Sequence, residues 1–239
     1  DWTEHLARLE KHHTKGARDG LSYQVVARVL NAANYGVPQR RERVIFVGFR
    51  DDLHIEWSFP EETHSMDALV WEQVNTDTYW EARGVAKGER EVSDRFKKRA
   101  LKLKEQPAQL PWKTVRDALH GLPDPERDRK KSASISNHGF QPGARSYTGH
   151  TGSPLDEPAK TLKAGVHGVP GGENMLLRPD GSVRYFSIRE SARLQTFPDD
   201  YHFTGCWSEA MRQIGNAVPV DLSRVVGQCV AQKLETEAA

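Results

Sequence analysis

Apolar residues fall into a few ordered stretches in this chain, and those stretches define the elements it can build. Tyr23 to Leu30 reads Tyr-Gln-Val-Val-Ala-Arg-Val-Leu, rich in β-branched and aromatic residues, and predicts a strand. Arg43 to Phe49 is apolar at nearly every position, as expected of a strand covered on both faces. The link through Asn31 and Gly36 is too short for a parallel crossover, so the two strands should be antiparallel neighbours. Near the end, Val218, Leu222, Val225, Val226, Cys229 and Leu234 recur at three- and four-residue steps. They predict a long helix with one buried stripe, Pro219 in its first turn and Asn216 as its cap. Gly215, just before, permits a close backbone approach or a positive φ. Ser187-Ile188-Arg189-Glu190 is a capping box that opens a helix through Gln195, ahead of Pro198. Thr114 and Asp117 predict a short helix to His120, and Leu6 and Leu9 an amphipathic one over Thr3 to His12.

Between Asp51 and about Arg184 the texture changes, with Gly, Pro, His and charged residues dominant and periodicity weak. The stretch from Asn137 to Asn174 should be loop-rich, and long loops in a folded chain usually carry function. Its turns at His150-Thr151-Gly152-Ser153 and Gly165-Val166-His167-Gly168 read either as groove-facing polar groups or as ordinary surface turns. Arg95 to Lys104 carries six cations in ten residues, either a solvated amphipathic helix or a track for phosphates.

Composition narrows the classes. The 239 residues suffice for one large or two modest domains, and 37% apolar content can bury a core. A net charge of +1 excludes a uniformly basic coat, so any polyanion must be held by local clusters. Cys206 and Cys229 have no metal-ligand spacing, and both read as packing residues. No apolar run is long enough to suggest a membrane span. The opening Asp1-Trp2-Thr3-Glu4 has neither an initiator Met nor a signal-peptide pattern, and reads as a chain that starts mid-protein.

One cluster stands out. Arg40, Arg41 and Arg43 crowd the entrance of the second strand, and desolvating lone guanidinium groups is costly. A bidentate anionic partner, phosphate above all, is one reason for them; a solvated strand start with surface ion pairs is the other. Arg189 and Arg193 share a helix face and are each within reach of Asp199 or Asp200.

Three blocks, taken in order, resemble a known family. They are Gln39-Arg40-Arg41-Glu42-Arg43, Arg189-Glu190-Ser191-Ala192-Arg193-Leu194-Gln195-Thr196-Phe197-Pro198, and Gln213-Ile214-Gly215-Asn216-Ala217-Val218. Their order and the long insert look like blocks VIII, IX and X of DNA (cytosine-5)-methyltransferases, with the target-recognition domain between VIII and IX. The resemblance implies an α/β chain: the tail end of a doubly wound Rossmann-like methyltransferase sheet plus a small loop-rich recognition domain. It places catalytic-domain strands in residues 1–50, the recognition domain in 51–185, and a hinge helix and closing helix in 186–239.

The same resemblance implies site residues. Arg41 and Arg43 would serve catalysis, and Gln39, Arg40, Arg41 and Arg43 would meet DNA, helped by Thr161 and Leu162. That Thr-Leu pair is equally readable as a buried strand step. Asn216, Ala217 and Val218 would line the S-adenosylmethionine site, and no metal is implied. Ala217 stands where many relatives have serine. The implied partners are double-stranded DNA and an N-terminal segment carrying the family's Pro-Cys and Glu-Asn-Val blocks, in a bacterial, nucleoid-associated setting. Neither block occurs in this chain. The chain therefore looks like the downstream part of such an enzyme, supporting base flipping but inactive alone and inclined to self-associate. The alternative is a non-catalytic DNA-binding specificity subunit.

Overall fold

The computed structural model describes residues 22–164 and 174–237. The helix expected over Thr3 to His12 and the turn Gly165 to Gly168 lie outside the described residues. Contacts divide the chain into two units. Residues 22–30, 42–61 and 224–237 form one, and residues 31–41 and 62–223 form the other.

The first unit is built on the expected hairpin of β1 (Tyr23–Asn31) and β2 (Glu42–Arg50). Asp51 N donates to Ser22 O at one end and Ala32 N to Arg41 O at the other, which makes the pair antiparallel. Between the strands, Asn31 Oδ1 accepts from Ala33 N at 3.2 Å and Arg41 N at 3.3 Å. A 3-10 turn over Ala32–Tyr35 then ends at Gly36, whose φ of 82° is open to glycine at little cost. Beyond β2, Trp57 packs on Phe59 at 4.6 Å and on Phe49 at 6.1 Å between ring centroids.

The expectation that β2 is covered on both faces fails. Val44 and Phe46 are 48% and 46% exposed, and Tyr23 and Val29 across the hairpin are 45% and 58% exposed. Side chains alternate along a strand, so these four share one face. The closing helix departs from its expected stripe in a similar way. Leu222 and Val226 are buried, whereas Val218 and Leu234 are exposed.

The second unit holds two cores. Around one lie α1 (Met66–Val70), continued by a π turn over Trp71–Asn75, with α2 (Thr78–Ala82) and α3 (Asp94–Ala100). They enclose Leu69, Tyr79, Trp80, Phe96 and Trp112. Beside them β3 (His64–Ser65) pairs in parallel with β4 (Leu110–Pro111). The other core gathers α4 (Val115–Leu119), α6 (Ile188–Leu194) and α7 (Trp207–Asn216) on a small sheet of β5 (Ser153–Pro154), β6 (Met175–Leu177) and β7 (Val183–Tyr185). In that sheet β5 is parallel and β7 antiparallel to β6. Phe186, Leu162, Leu194 and Ile214 are almost fully enclosed, each contributing about 1.5–3 kcal/mol of burial. Short α5 (Arg129–Ala133) is capped by Asp128, and α8 (Val220–Glu237) closes the chain.

The predicted capping box forms, and the expected cap at Thr114 proves to be a second one. Thr114 and Asp117 close α4, and Ser187 and Glu190 close α6. The Glu190 carboxylate also takes two bonds of 2.7 Å from Arg184, deep in the protein. The two cores are tied at Tyr79, whose hydroxyl meets Thr114 Oγ1 at 2.9 Å and donates to Asp156 at 2.8 Å. Arg193 pairs with Asp199, as its spacing suggested.

Asp124 joins this ionic network through Arg178 and Arg184. Burial pushes its carboxyl up, but Arg184, the Glu126 N–H and Arg178 outweigh that and hold it at about 2. A carboxylate depressed from its unfolded value of about 4 stabilises the fold above that value and loses the contribution as pH falls. We therefore expect the denaturant midpoint to drop between about pH 4 and pH 2. Asp124→Asn should flatten that acid limb, as measured by urea unfolding across the pH range.

Candidate functional site

Gln39, Arg40 and Arg41 lie at a crossing point of three chain segments in the second unit. Gln39 forms a parallel bridge with Ala159, with Arg40 N donating to Ala159 O at 2.8 Å and Ala159 N to Pro38 O at 3.0 Å. Gln39 spends both ends of its amide: Nε2 donates to Leu194 O at 3.2 Å, and Oε1 accepts from Leu162 N at 3.0 Å. Thr161 Oγ1 returns a 2.7 Å bond to Arg40 O. A short, buried splice results between the segment before β2 and the Thr-Leu pair of the insert.

Arg41 completes it. Its side chain is 1% exposed, with Nη1 donating to Leu162 O at 3.1 Å and Nη2 to Gly215 O at 2.5 Å and Ala217 O at 2.9 Å. One guanidinium thus joins the arginine segment, the insert and the turn that ends α7. Gly215 makes the third approach feasible. A Cβ there would fall 2.7 Å from Lys163 C and closer still to Ala164 N, so any side chain would force the two backbones apart.

The structure divides the residues expected to meet DNA. Gln39, Arg41 and Leu162 are buried, and the first two are occupied by protein groups. The phosphate grip expected of Arg41 would require its carbonyl bonds to break, so in this geometry Arg41 holds the site together. Arg40 is partly open, lying 4.0 Å from Glu157. Burial leads in pulling its pKa below the usual arginine value, Glu157 opposes it, and Arg95 adds to it. Thr161 is half-buried. Arg43 belongs to the first unit, where its Nη1 donates to the neighbouring Glu42 O at 2.6 Å and the side chain is half-buried.

The residues expected to hold the cofactor lie on the turn 216–218. Asn216 does not cap the closing helix. It is the last residue of α7. The first amides of α8 are satisfied instead by Gln195 O, which takes Val220 N, and by Thr196 Oγ1, which takes Asp221 N at 2.9 Å. The physical reason is that Trp207, Ala210, Met211 and Ile214 already build a helix up to Asn216. Their i, i+3, i+4, i+7 spacing was the available signal for it. Ala217 has its N–H and carbonyl engaged within the protein. Asn216 and Val218 are exposed. A carboxamide and an isopropyl group, both exposed and two residues apart, are chemically compatible with a ligand that has polar and apolar parts.

Sequence reading missed Gln195, whose Nε2 donates to Ile214 O at 2.8 Å and whose carbonyl starts α8. It also missed Asn174, which holds the backbone on both sides of Lys163. Neither residue has a pattern that marks it, because its partners are distant main-chain groups. Among the described residues no cluster of His, Cys, Asp or Glu could hold a metal, and no helix is long and apolar enough to cross a membrane.

The pattern of the C-5 cytosine-specific DNA methylase family matches residues 10–232, and the chain belongs to that family. The Type II methyltransferase M.SacI of Streptomyces achromogenes is 31% identical, over 92% of this chain and 54% of the relative. M.BspRI of Lysinibacillus sphaericus is 30% identical, over 88% of this chain and 44% of its own length. The chain spans about half the length of the curated relatives it matches. A solved protein encoded within an E. coli prophage, assigned as a DNA modification methyltransferase, superimposes with a TM-score of 0.50. It is 19% identical and covers 89% of this chain and 61% of its own. The fold is therefore the α/β fold of methyltransferases.

Removing the central guanidinium should expose its role. Arg41→Ala leaves three buried carbonyls without donors and should cost about 3 kcal/mol or more in urea unfolding. Arg41→Lys keeps the charge without the planar fork and should recover only part of that loss. Arg43→Ala should change stability by less than about 0.5 kcal/mol.

Proposed function

We propose that this chain is the DNA-reading and cofactor-closing portion of an S-adenosylmethionine-dependent DNA cytosine C5 methyltransferase. The observation that carries the reading is the Arg41 splice. The segment expected to hold the phosphate backbone, the Thr-Leu step of the insert and the turn expected to face the cofactor meet on one buried guanidinium. Family membership makes a methyl-transfer reaction the natural use of such a junction.

In this reading the cofactor, when bound, supplies an activated methyl group. The chain's own residues position. Asn216 and Val218 offer a polar and an apolar contact to the cofactor, and Arg41 keeps their turn in register with the insert. Arg43, Arg40 and Thr161 hold the DNA backbone, which fixes register without reading sequence and supports the distortion that extrusion of a base requires. The nucleophile would come from a partner segment carrying the Pro-Cys and Glu-Asn-Val blocks, so this chain alone should not transfer methyl groups. The exposed apolar side chains of Tyr23, Val29 and Val44 support that reading, since apolar patches of this kind mark association surfaces. The same face supports self-association of the isolated chain.

Mixing the chain with an N-terminal fragment that carries those two blocks should restore methyl transfer to duplex DNA. DNA binding without any recovered transfer would instead favour a non-catalytic specificity subunit. In the reconstituted enzyme Arg43→Ala should depress turnover far more than Arg99→Ala, because Arg99 is already committed to Asp67 through two bonds of 2.7–2.8 Å. Equal effects would remove the special place given to Arg43. Alone, the chain should elute from size-exclusion chromatography above its monomer mass of 27.0 kDa.

A further inference from the structure

The basic segment that closes the first core of the second unit is unused by the reading above. Along α3 and the turn after it, each of three cations has an acidic partner. Arg95 pairs with Glu157 at 2.9 Å, Lys97 with Asp94, and Arg99 with Asp67. Lys98, Lys102 and Lys104 are exposed, and none has an ion pair among the described residues. Glu105 is the nearby acid likewise without one. In their midst Leu101 is 88% exposed, the most open large apolar side chain described. A solvated helix needs lysines but gains nothing from such a leucine.

Position adds a second observation. Arg40 and Arg95 sit across the single carboxylate of Glu157, so the segment begins at the arginine block expected to meet the DNA backbone. Arg95 and Lys98 are one turn apart on α3, and Lys102 lies on the turn that follows it.

We infer that the ridge of Lys98, Lys102 and Lys104, which starts beside Arg40 and Arg95, grips the phosphate backbone of duplex DNA outside the target site, with Leu101 pressing its apolar side chain into the adjacent groove. The lysines supply affinity that does not depend on sequence. Leu101 supplies contact that salt does not screen. This rests on the reading of the chain as a DNA-binding part.

Fluorescence anisotropy of the 239-residue chain on a short duplex, titrated at several salt concentrations, tests it. Lys98→Ala/Lys102→Ala/Lys104→Ala should make the slope of log affinity against log salt shallower by about two to three units, similarly for unrelated duplex sequences. Leu101→Ser should weaken binding about fivefold with the slope unchanged. Every altered side chain is exposed, so thermal unfolding should match the parent. An unchanged slope in the triple variant, with the parent still binding, overturns the ridge and leaves the wider reading standing. A parent that does not bind duplex DNA, or binds an RNA hairpin in preference, overturns both.

Discussion

The donation of one buried guanidinium to three carbonyls is the constraint from which the rest of the second unit takes its form. Leu162, Gly215 and Ala217 lie far from Arg41 in sequence, and among the described residues none has a ladder partner for the carbonyl involved. A protein segment with little regular structure leaves many such carbonyls, and burying them unpaired is costly. Arginine is suited to the task because its rigid fork presents five donors in one plane. Arg189 repeats the device, donating to Ser136 O, Pro198 O and Tyr201 O from a side chain that is also buried.

These arginines separate holding the site from touching a ligand. Arg41 and Gln39 spend their polar atoms on the protein and thereby align the elements that carry Arg40, Thr161, Asn216 and Val218. The latter group keeps some surface open. Charge follows the same division. The buried cations Arg178 and Arg184 are matched by Asp124, Glu126 and Glu190, while the lysines beyond α3 have no such partners among the described residues. A net charge of +1 therefore conceals a compensated interior and a locally basic exterior.

Much of the framework was legible. The two strands, both capping boxes and the Arg193–Asp199 pair rest on interactions between near neighbours, and the residue types that make them are diagnostic. The closing helix was legible in place but not in its start, because α7 claimed Asn216 first. The small sheets of the insert were not legible at all. Strands of two or three residues are too short to show alternation, and the three-stranded sheet forms where a Cβ on Gly152 would stand 3.1 Å from the β6 backbone.

By itself, then, the order of residues determined the hairpin, the caps, the long final helix and the three blocks that identify the family. Only the tertiary structure decided that Arg41 is buried while Arg40 and Arg43 keep surface, although the three are nearly adjacent. The physical reason is that burial of a guanidinium depends on which carbonyls arrive around it. Those carbonyls come from positions more than a hundred residues away, where no local pattern records them.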